Sequence, residues 1–271
     1  MLIDLHSDLD HHRSVFTLAG PPDLVQEAAR ALARVAVEKL DLSRHHGAHP
    51  RFGVLDVVPF VPLSDPETAV GPSRGQPDLG PAIAARDAFA SWAGRMLGLP
   101  CFLYGPLRDG CVRTLPEVRR GAFSTLGPDT GPRAPHPTAG AVAVGARPVL
   151  VAYNIWIDGA DLDVARKLAA SLRGPLVRAL GFSLRSGVQV SCNLLDPVTV
   201  GPAEVYDRVA ALLREAGPGD TAGGVIRRAE LVGLMPAASV QRIPPGRWDE
   251  LDLSPDRTIE ARLEARTGTS R

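Results

Sequence analysis

Between Arg147 and Leu234 the hydrophobic pattern switches between a period of two and a period of 3.6 in an order that few folds accommodate. Arg147 to Ile157, RPVLVAYNIWI, is rich in Val, Ile, Tyr and Trp and reads as a strand. Asp161 to Leu172 opens on an acid and lines up Leu162, Val164, Ala165, Leu168, Ala169 and Leu172, which predicts a helix. Val177 to Leu184 and Val188 to Leu195 are strand-like runs separated by Arg185, Ser186 and Gly187, a turn short enough for a hairpin. Pro202 to Glu215 begins at Pro, places Val205, Val209, Leu212 and Leu213 on one face, and ends at Gly217; Ala229 to Leu234 is a last strand. The resulting β-α-β-β-α-β order is the split-βαβ, ferredoxin-like arrangement, in which two helices cover one face of an antiparallel sheet.

The first half repeats part of this order. Leu2 to Leu5 and Ser14 to Ala19 read as strands, and Pro22 to Leu40 is an amphipathic helix built on Leu24, Val25, Ala28, Leu32, Val35 and Ala36. Val54 to Val61 follows as a strand, Pro81 to Leu97 as a helix and Cys101 to Tyr104 as a strand. The expected fold class is therefore α/β in the α+β sense: two ferredoxin-like βαββαβ subdomains, the first lacking its leading strand and helix. The expected boundary puts residues 1–146 in the first subdomain and 147–271 in the second. Two Pro/Gly-rich stretches, Ser64 to Gly80 and Gly121 to Gly145, read as loops. The second is long enough for a functional role, because a structureless loop of more than about 15 residues is uncommon in a compact domain.

Composition removes several partners. Lys plus Arg and Asp plus Glu both count 30, and no basic block matches a phosphate backbone, so nucleic acid is not expected. No run approaches the roughly 20 apolar residues of a membrane span, and the acidic start MLIDLHSDLDHH lacks the pattern of a signal peptide, so a cytoplasmic location is expected. Cys101, Cys111 and Cys192 are odd in number without C-x-x-C spacing, which argues against a disulfide framework or a zinc knuckle.

Six of the seven histidines, His6, His11, His12, His45, His46 and His49, lie within the first 49 residues. His6, Asp8, Asp10, His11 and His12 can be read as a metal cluster or as a solvated polar loop; their spacing matches no helical metal motif, and no metal is expected. His49 sits in a Gly/Pro-bounded loop just before a strand, where a proton-transfer group can be both exposed and positioned, although a surface histidine fits the same pattern.

HHGAHPRFGVLDVVPFVPL resembles the K-H-K-G-E-H-P-R-M-G-A-L-D-V-type stretch of the glutamate formimidoyltransferases. HRSVFTLAGPP, RTLPEVRRGAF, PDTGPRAPHPTAGAVAVGARPVLVAYNIWI, VQVSCNLLD and AELVGLMP are similar to further segments of that family in the same order, from about Leu2 to Leu263. The resemblance implies two α/β subdomains with a folate-binding groove between them, a possible homodimer, and transfer of a formimino group from N-formimino-L-glutamate to tetrahydrofolate as co-substrate. It makes His49 the catalytic base and Gly131, Pro132, Arg133, Ala134, Pro135, His136, Pro137, Thr138, Ala139 and Gly140 the folate-contacting stretch. Arg13 and Arg51 are candidates for the substrate carboxylates, because an Arg fork matches a carboxylate, and surface or structural arginines are the other reading. Asn154 and Asn193, polar within apolar strand runs, are candidates for the groove wall, and satisfied core asparagines are the other reading. The chain departs from the family pattern at Ala48 and His6, where acids are usual, and in the leading strand and helix. A catalytically impaired folate-binding homologue and a metal-dependent hydrolase are the alternative functions.

Overall fold

The computed structural model describes residues 1–63, 77–215 and 224–268. Most of the expected Ser64 to Gly80 loop, and Gly217, lie outside the described residues. In chain order the elements are β1 (Leu2–Asp8), β2 (Arg13–Leu18), α1 (Pro22–Lys39), β3 (Val57–Phe60), α2 (Gly80–Met96), β4 (Cys101–Pro106), β5 (Val112–Arg113) and α3 (Leu115–Gly121). They continue with β6 (Val142–Ala146), β7 (Val151–Asp158), α4 (Leu162–Leu172), β8 (Val177–Leu184), β9 (Gly187–Leu194), α5 (Pro202–Glu215), β10 (Val225–Val232), α6 (Ala237–Gln241) and α7 (Ile259–Thr267). The class is α+β, as the periodicities predict.

The chain divides into two compact units, one of Met1 and residues 20–149, the other of residues 2–19 and 150–271. The β1–β2 hairpin thus packs with the second unit, whereas the sequence order alone counts it with the first. Ile3, Ala19 and Leu234 form a small apolar cluster with Ile259 and Leu263 of α7, one of the contacts that hold the hairpin there. The reason is tertiary: a short amphipathic hairpin takes the apolar surface available to it, whichever part of the chain supplies that surface.

In the second unit the strand order is β10-β7-β9-β8, with every neighbouring pair antiparallel. Helix α4 joins β7 to β8 with β9 between them, and α5 joins β9 to β10 with β7 between them. The order β-α-β-β-α-β stands as the periodicity predicts. Asp161 caps α4 by accepting the Val164 N–H at 2.9 Å, and the helix buries Val164, Ala165, Leu168, Ala169 and Leu172. These side chains meet Tyr153, Ile155, Ile157, Val190 and Leu194, so alternate residues of β7 and β9 face the helices. Asn154, Trp156, Gln189 and Asn193 consequently stand on the other face.

In the first unit the order is β3-β6-β4-β5; β3, β6 and β4 are parallel and only β5 runs against its neighbour. The expected repeat of the antiparallel pattern is replaced here by a parallel core, because α2 carries the chain back between β3 and β4 and leaves them pointing the same way. All but the last residue of the central strand β6 falls inside the stretch Gly121 to Gly145 that the sequence reading leaves as a loop. Val142, Val144 and Ala146 pack with Phe89, Ala90 and Ala93 of α2, and Ala141 and Ala143 pack with Phe102 and Val118 on the opposite face. A strand covered on both faces shows no alternation, so AVAVGA between Gly140 and Arg147 carries no period-two signal.

Candidate active site

The residues before β3 form a loop wound around one arginine. Arg51 donates through Nη2 to His45 O at 2.6 Å and through Nη1 to Gly47 O at 2.7 Å and His49 O at 3.1 Å. Its guanidinium thereby replaces the main-chain partners that a Gly/Pro-rich segment cannot supply for itself. His49 is half-buried, and its Nδ1 lies 2.7 Å from Pro50 O. A carbonyl oxygen only accepts, so Nδ1 carries the proton and the neutral ring keeps its lone pair on Nε2.

The structure laces this loop to the 131–140 stretch. Leu42 N–H donates to Thr138 O at 2.7 Å, Val54 N–H to Ala139 O at 3.0 Å and Ala141 N–H to Phe52 O at 3.0 Å. Gly53 and Gly140 form an isolated bridge, and a Cβ on Gly53 would stand 1.8 Å from Ala141 O. Gly140 has φ +70°, a conformation open to glycine at little cost. His136 sits inside this stretch as a loop organiser: its Nδ1 accepts the N–H groups of Thr138 at 3.3 Å and Ala139 at 3.0 Å.

Behind the loop stands a pair that the sequence reading missed. Asp56 Oδ1 accepts the Phe52 N–H at 3.1 Å, and its two oxygens take the two Nη groups of Arg119. Thr114 and Glu117 form a reciprocal capping box that starts α3, and Arg119 lies in the last turn of that helix. A carboxylate within the apolar run GVLDVVPF was the available signal, since a buried acid requires a partner.

The other candidates lie in the second unit. Arg13 opens β2 and is exposed, as is Asn193 on β9. Asn154 is buried and donates through Nδ2 to Glu230 Oε2 at 3.2 Å, an oxygen that also accepts Trp156 Nε1–H at 2.8 Å. A cavity of about 560 Å³ is lined by His6, Tyr206, Arg228, Glu230, Asp249 and Arg257, none of them from the His49 loop.

The N-terminal His/Asp group is dispersed by the hairpin. Asp8 accepts the His11 main-chain N–H at 2.6 Å, and His11 Nε2 lies 3.0 Å from Gln189 Oε1 with its ring edge-on to Phe182. Asp10 accepts from the Ser186 hydroxyl, a bond that holds its carboxyl below the usual carboxylate range. These contacts dock the hairpin on β8 and β9. Among the described residues no group of three or more His, Cys, Asp or Glu stands close enough to hold a metal ion. Among them, too, no helix is long and apolar enough to cross a membrane.

Comparison with known proteins agrees with the order of the motifs. A family model described as the formiminotransferase domain, N-terminal subdomain, matches residues 1–147. A glutamate formimidoyltransferase of Streptococcus pyogenes serotype M1 is 35% identical over 259 residues, which cover 88% of this chain and 80% of that protein. A protein of the same name from Thermoplasma acidophilum is 31% identical over 256 residues, covering 87% and 78%. The formimidoyltransferase-cyclodeaminase of Sus scrofa is 33% identical over 259 residues, covering 87% of this chain but 44% of that longer protein.

Proposed function

The chain belongs to the formiminotransferase family, and from that premise we propose that it transfers a formimino group from N-formimino-L-glutamate to tetrahydrofolate, giving 5-formiminotetrahydrofolate and glutamate. Such a reaction belongs to histidine degradation and one-carbon metabolism. The impaired-homologue and hydrolase alternatives gain nothing from these relatives.

The observation that carries the chemistry is the Nδ1–H bond from His49 to Pro50 O, which leaves Nε2 as the basic nitrogen. As N5 of tetrahydrofolate bonds to the formimino carbon it loses a proton, which His49 Nε2 takes. The same imidazolium returns that proton to the glutamate nitrogen as the old C–N bond breaks. Protons and charge balance without a further reactant, so one imidazole serves as base and then as acid.

Residues 131–140 are the proposed folate-contacting stretch; their main chain is held against the His49 loop by the bonds from Leu42, Val54 and Ala141. Arg51, whose Nη atoms serve three carbonyls of its own loop, acts in this reading as the loop's organiser, and Arg13 keeps the proposed carboxylate role. Asn193 is a proposed polar wall residue on β9. The cytosol is the proposed compartment and a homodimer the proposed assembly.

A coupled assay for 5-formiminotetrahydrofolate tests the reading. Turnover by the unmodified chain is expected, with His49→Ala lowering kcat by about 10²–10⁴-fold, the usual contribution of a general acid–base group. An unmodified chain without turnover sinks the function; a His49→Ala chain keeping most of its rate sinks the role of His49.

A further inference from the structure

The edge strand β10 of the second unit is closed at one residue and open at another. Among the described residues it pairs with β7 alone, and from Arg228 to Val232 its register is regular, so alternate residues turn their main-chain N–H and C=O outward. Leu231 is one of these: Asp252 Oδ2 accepts its N–H at 2.8 Å, and Arg257 Nη2 donates to its carbonyl. Asp252 and Arg257 are themselves paired at 2.8 Å, so an ion pair stands where a neighbouring strand would. Ala229, two residues earlier, turns the same two groups the same way. Its methyl belongs to the core and the residue is 5% exposed, yet among the described residues nothing is bonded to its outward N–H or C=O. A main-chain donor and acceptor this far from water call for a partner.

Both groups face the cavity of about 560 Å³, which Ala229 lines together with Arg228, Tyr206 and Asp249. Because its side chain points to the helices, what Ala229 offers the cavity is its main chain. Most charges around it already have partners. Arg257 is taken by Asp252 and Leu231, Arg227 by Asp158 at 3.5 Å and Ser186 O at 2.9 Å, and Glu250 by Arg247 at 2.9 Å. Two charges remain available. The Arg228 guanidinium stacks 4.7 Å from the Trp156 ring centre, and its nearest carboxylate oxygen, Glu230 Oε1, is 3.7 Å away, beyond hydrogen-bond reach. Asp249 is exposed, and among the described residues no group bonds or pairs with its carboxylate. The cavity therefore presents one N–H, one C=O, one available cation and one available anion.

We propose that this cavity binds a free α-amino acid as a one-residue strand on β10: the ligand's ammonium donates to Ala229 O and its carboxylate accepts the Ala229 N–H. These are the two bonds that opposed residues exchange in an antiparallel pair. Asp249 is the counter-charge for the ammonium and Arg228 for the carboxylate. Directly opposed residues share a face, so the ligand's side chain stands on the helix face, where Tyr206 lines the cavity. None of the residues assigned to formimino transfer lines this cavity, and N-formimino-L-glutamate, whose nitrogen carries the formimino group, has no ammonium to offer it.

The test titrates the full chain by calorimetry with L-lysine, L-leucine and L-glutamate, which carry a basic, an apolar and an acidic side chain. At least one should bind with a Kd below about 1 mM. Its N-acetyl derivative and its methyl ester, each missing one of the two charges, should bind about tenfold more weakly, the loss of one charge-assisted hydrogen bond. Ala229→Pro removes the outward N–H without touching a ladder bond, a substitution that edge strands admit, and should raise the Kd by about tenfold. Asp249→Asn and Arg228→Gln should each raise it by a similar factor, with the melting temperature little changed.

An unmodified chain that binds none of the three amino acids overturns the proposal. So does binding that the N-acetyl derivative and the methyl ester match, or binding that all three variants leave unaltered; L-glutamate bound in that last way occupies some other place on the chain. If Ala229→Pro does not fold, the two exposed side chains carry the test, and a Kd within about twofold of the original in both Asp249→Asn and Arg228→Gln sinks it. No turnover enters these measurements. A chain without formimino transfer that binds the amino acid as described removes the proposed function and leaves this site standing, and an active chain that binds none removes the site alone.

Discussion

Replacing Asp56 by Asn asks whether the loop that carries His49 is held from behind. Asp56 Oδ1 accepts the Phe52 N–H and one Arg119 nitrogen, each at 3.1 Å, and Oδ2 accepts the other Arg119 nitrogen. The Arg119 and Asp56 side chains are 20% and 12% exposed, so the pair lies mostly out of water. An Asn side chain keeps one oxygen but leaves the guanidinium, 5.6 Å over the Phe52 ring, without its counter-charge. Breaking a fully buried pair costs about 3–5 kcal/mol; the residual solvent contact here lowers the expectation to about 2–3 kcal/mol. At roughly 2–4 °C per kcal/mol for a chain of this size, the melting temperature should fall by about 4–12 °C. Phe52 is three residues from His49, and a displacement of about 1 Å at a reacting group can cost on the order of 10²-fold in rate. Calorimetric melting and the 5-formiminotetrahydrofolate assay read the two effects separately. A variant that melts within about 1 °C of the unmodified chain and keeps more than half its kcat/KM would show that Asp56 does not brace the loop. Arg119→Lys, which keeps the charge but loses the fork, should fall between the two.

Gly53→Ala places a methyl where Ala141 O stands 1.8 Å away, so the main-chain bonds between the two loops have to open. A loss above about 3 kcal/mol in denaturant titration is expected, and a loss under about 1 kcal/mol would show that the loops part easily. Burial pushes the Cys101 thiol from 9.0 to about 11 and the Cys192 thiol to about 12, while Cys111 is exposed. A thiol reagent at pH 8 should therefore modify Cys111 alone in the folded protein; modification of Cys101 or Cys192 without unfolding contradicts their burial. The unfolded thiols ionise first, so their contribution is complete below pH 9.0 and declines as pH rises towards about 11 and 12. Urea midpoints that stay level over that interval would argue against the shifts.

Features that depend on neighbours along the chain were legible in the residues themselves. The 3.6-residue spacing of Val164, Ala165, Leu168 and Leu172 predicts one buried helical face, and α4 buries it. The strand runs on either side of Arg185 and Ser186 pair as a hairpin, because a short connection leaves antiparallel neighbours little choice. The ordered motifs around His49 and through 131–140 likewise pointed to the family. Features that depend on distant partners emerged with the fold. Strand β6 escapes a period-based reading because helices on both faces remove the alternation. The β1–β2 hairpin packs with the second unit through Leu234 and α7, residues more than two hundred positions away. Arg119 reaches Asp56 across 63 residues and Glu230 reaches Asn154 across 76, so neither carboxylate's partner is visible in local spacing. Periodicity reports which face of an element is buried; which charged group meets which across that burial depends on sheet order and register, and those exist only once the chain has folded.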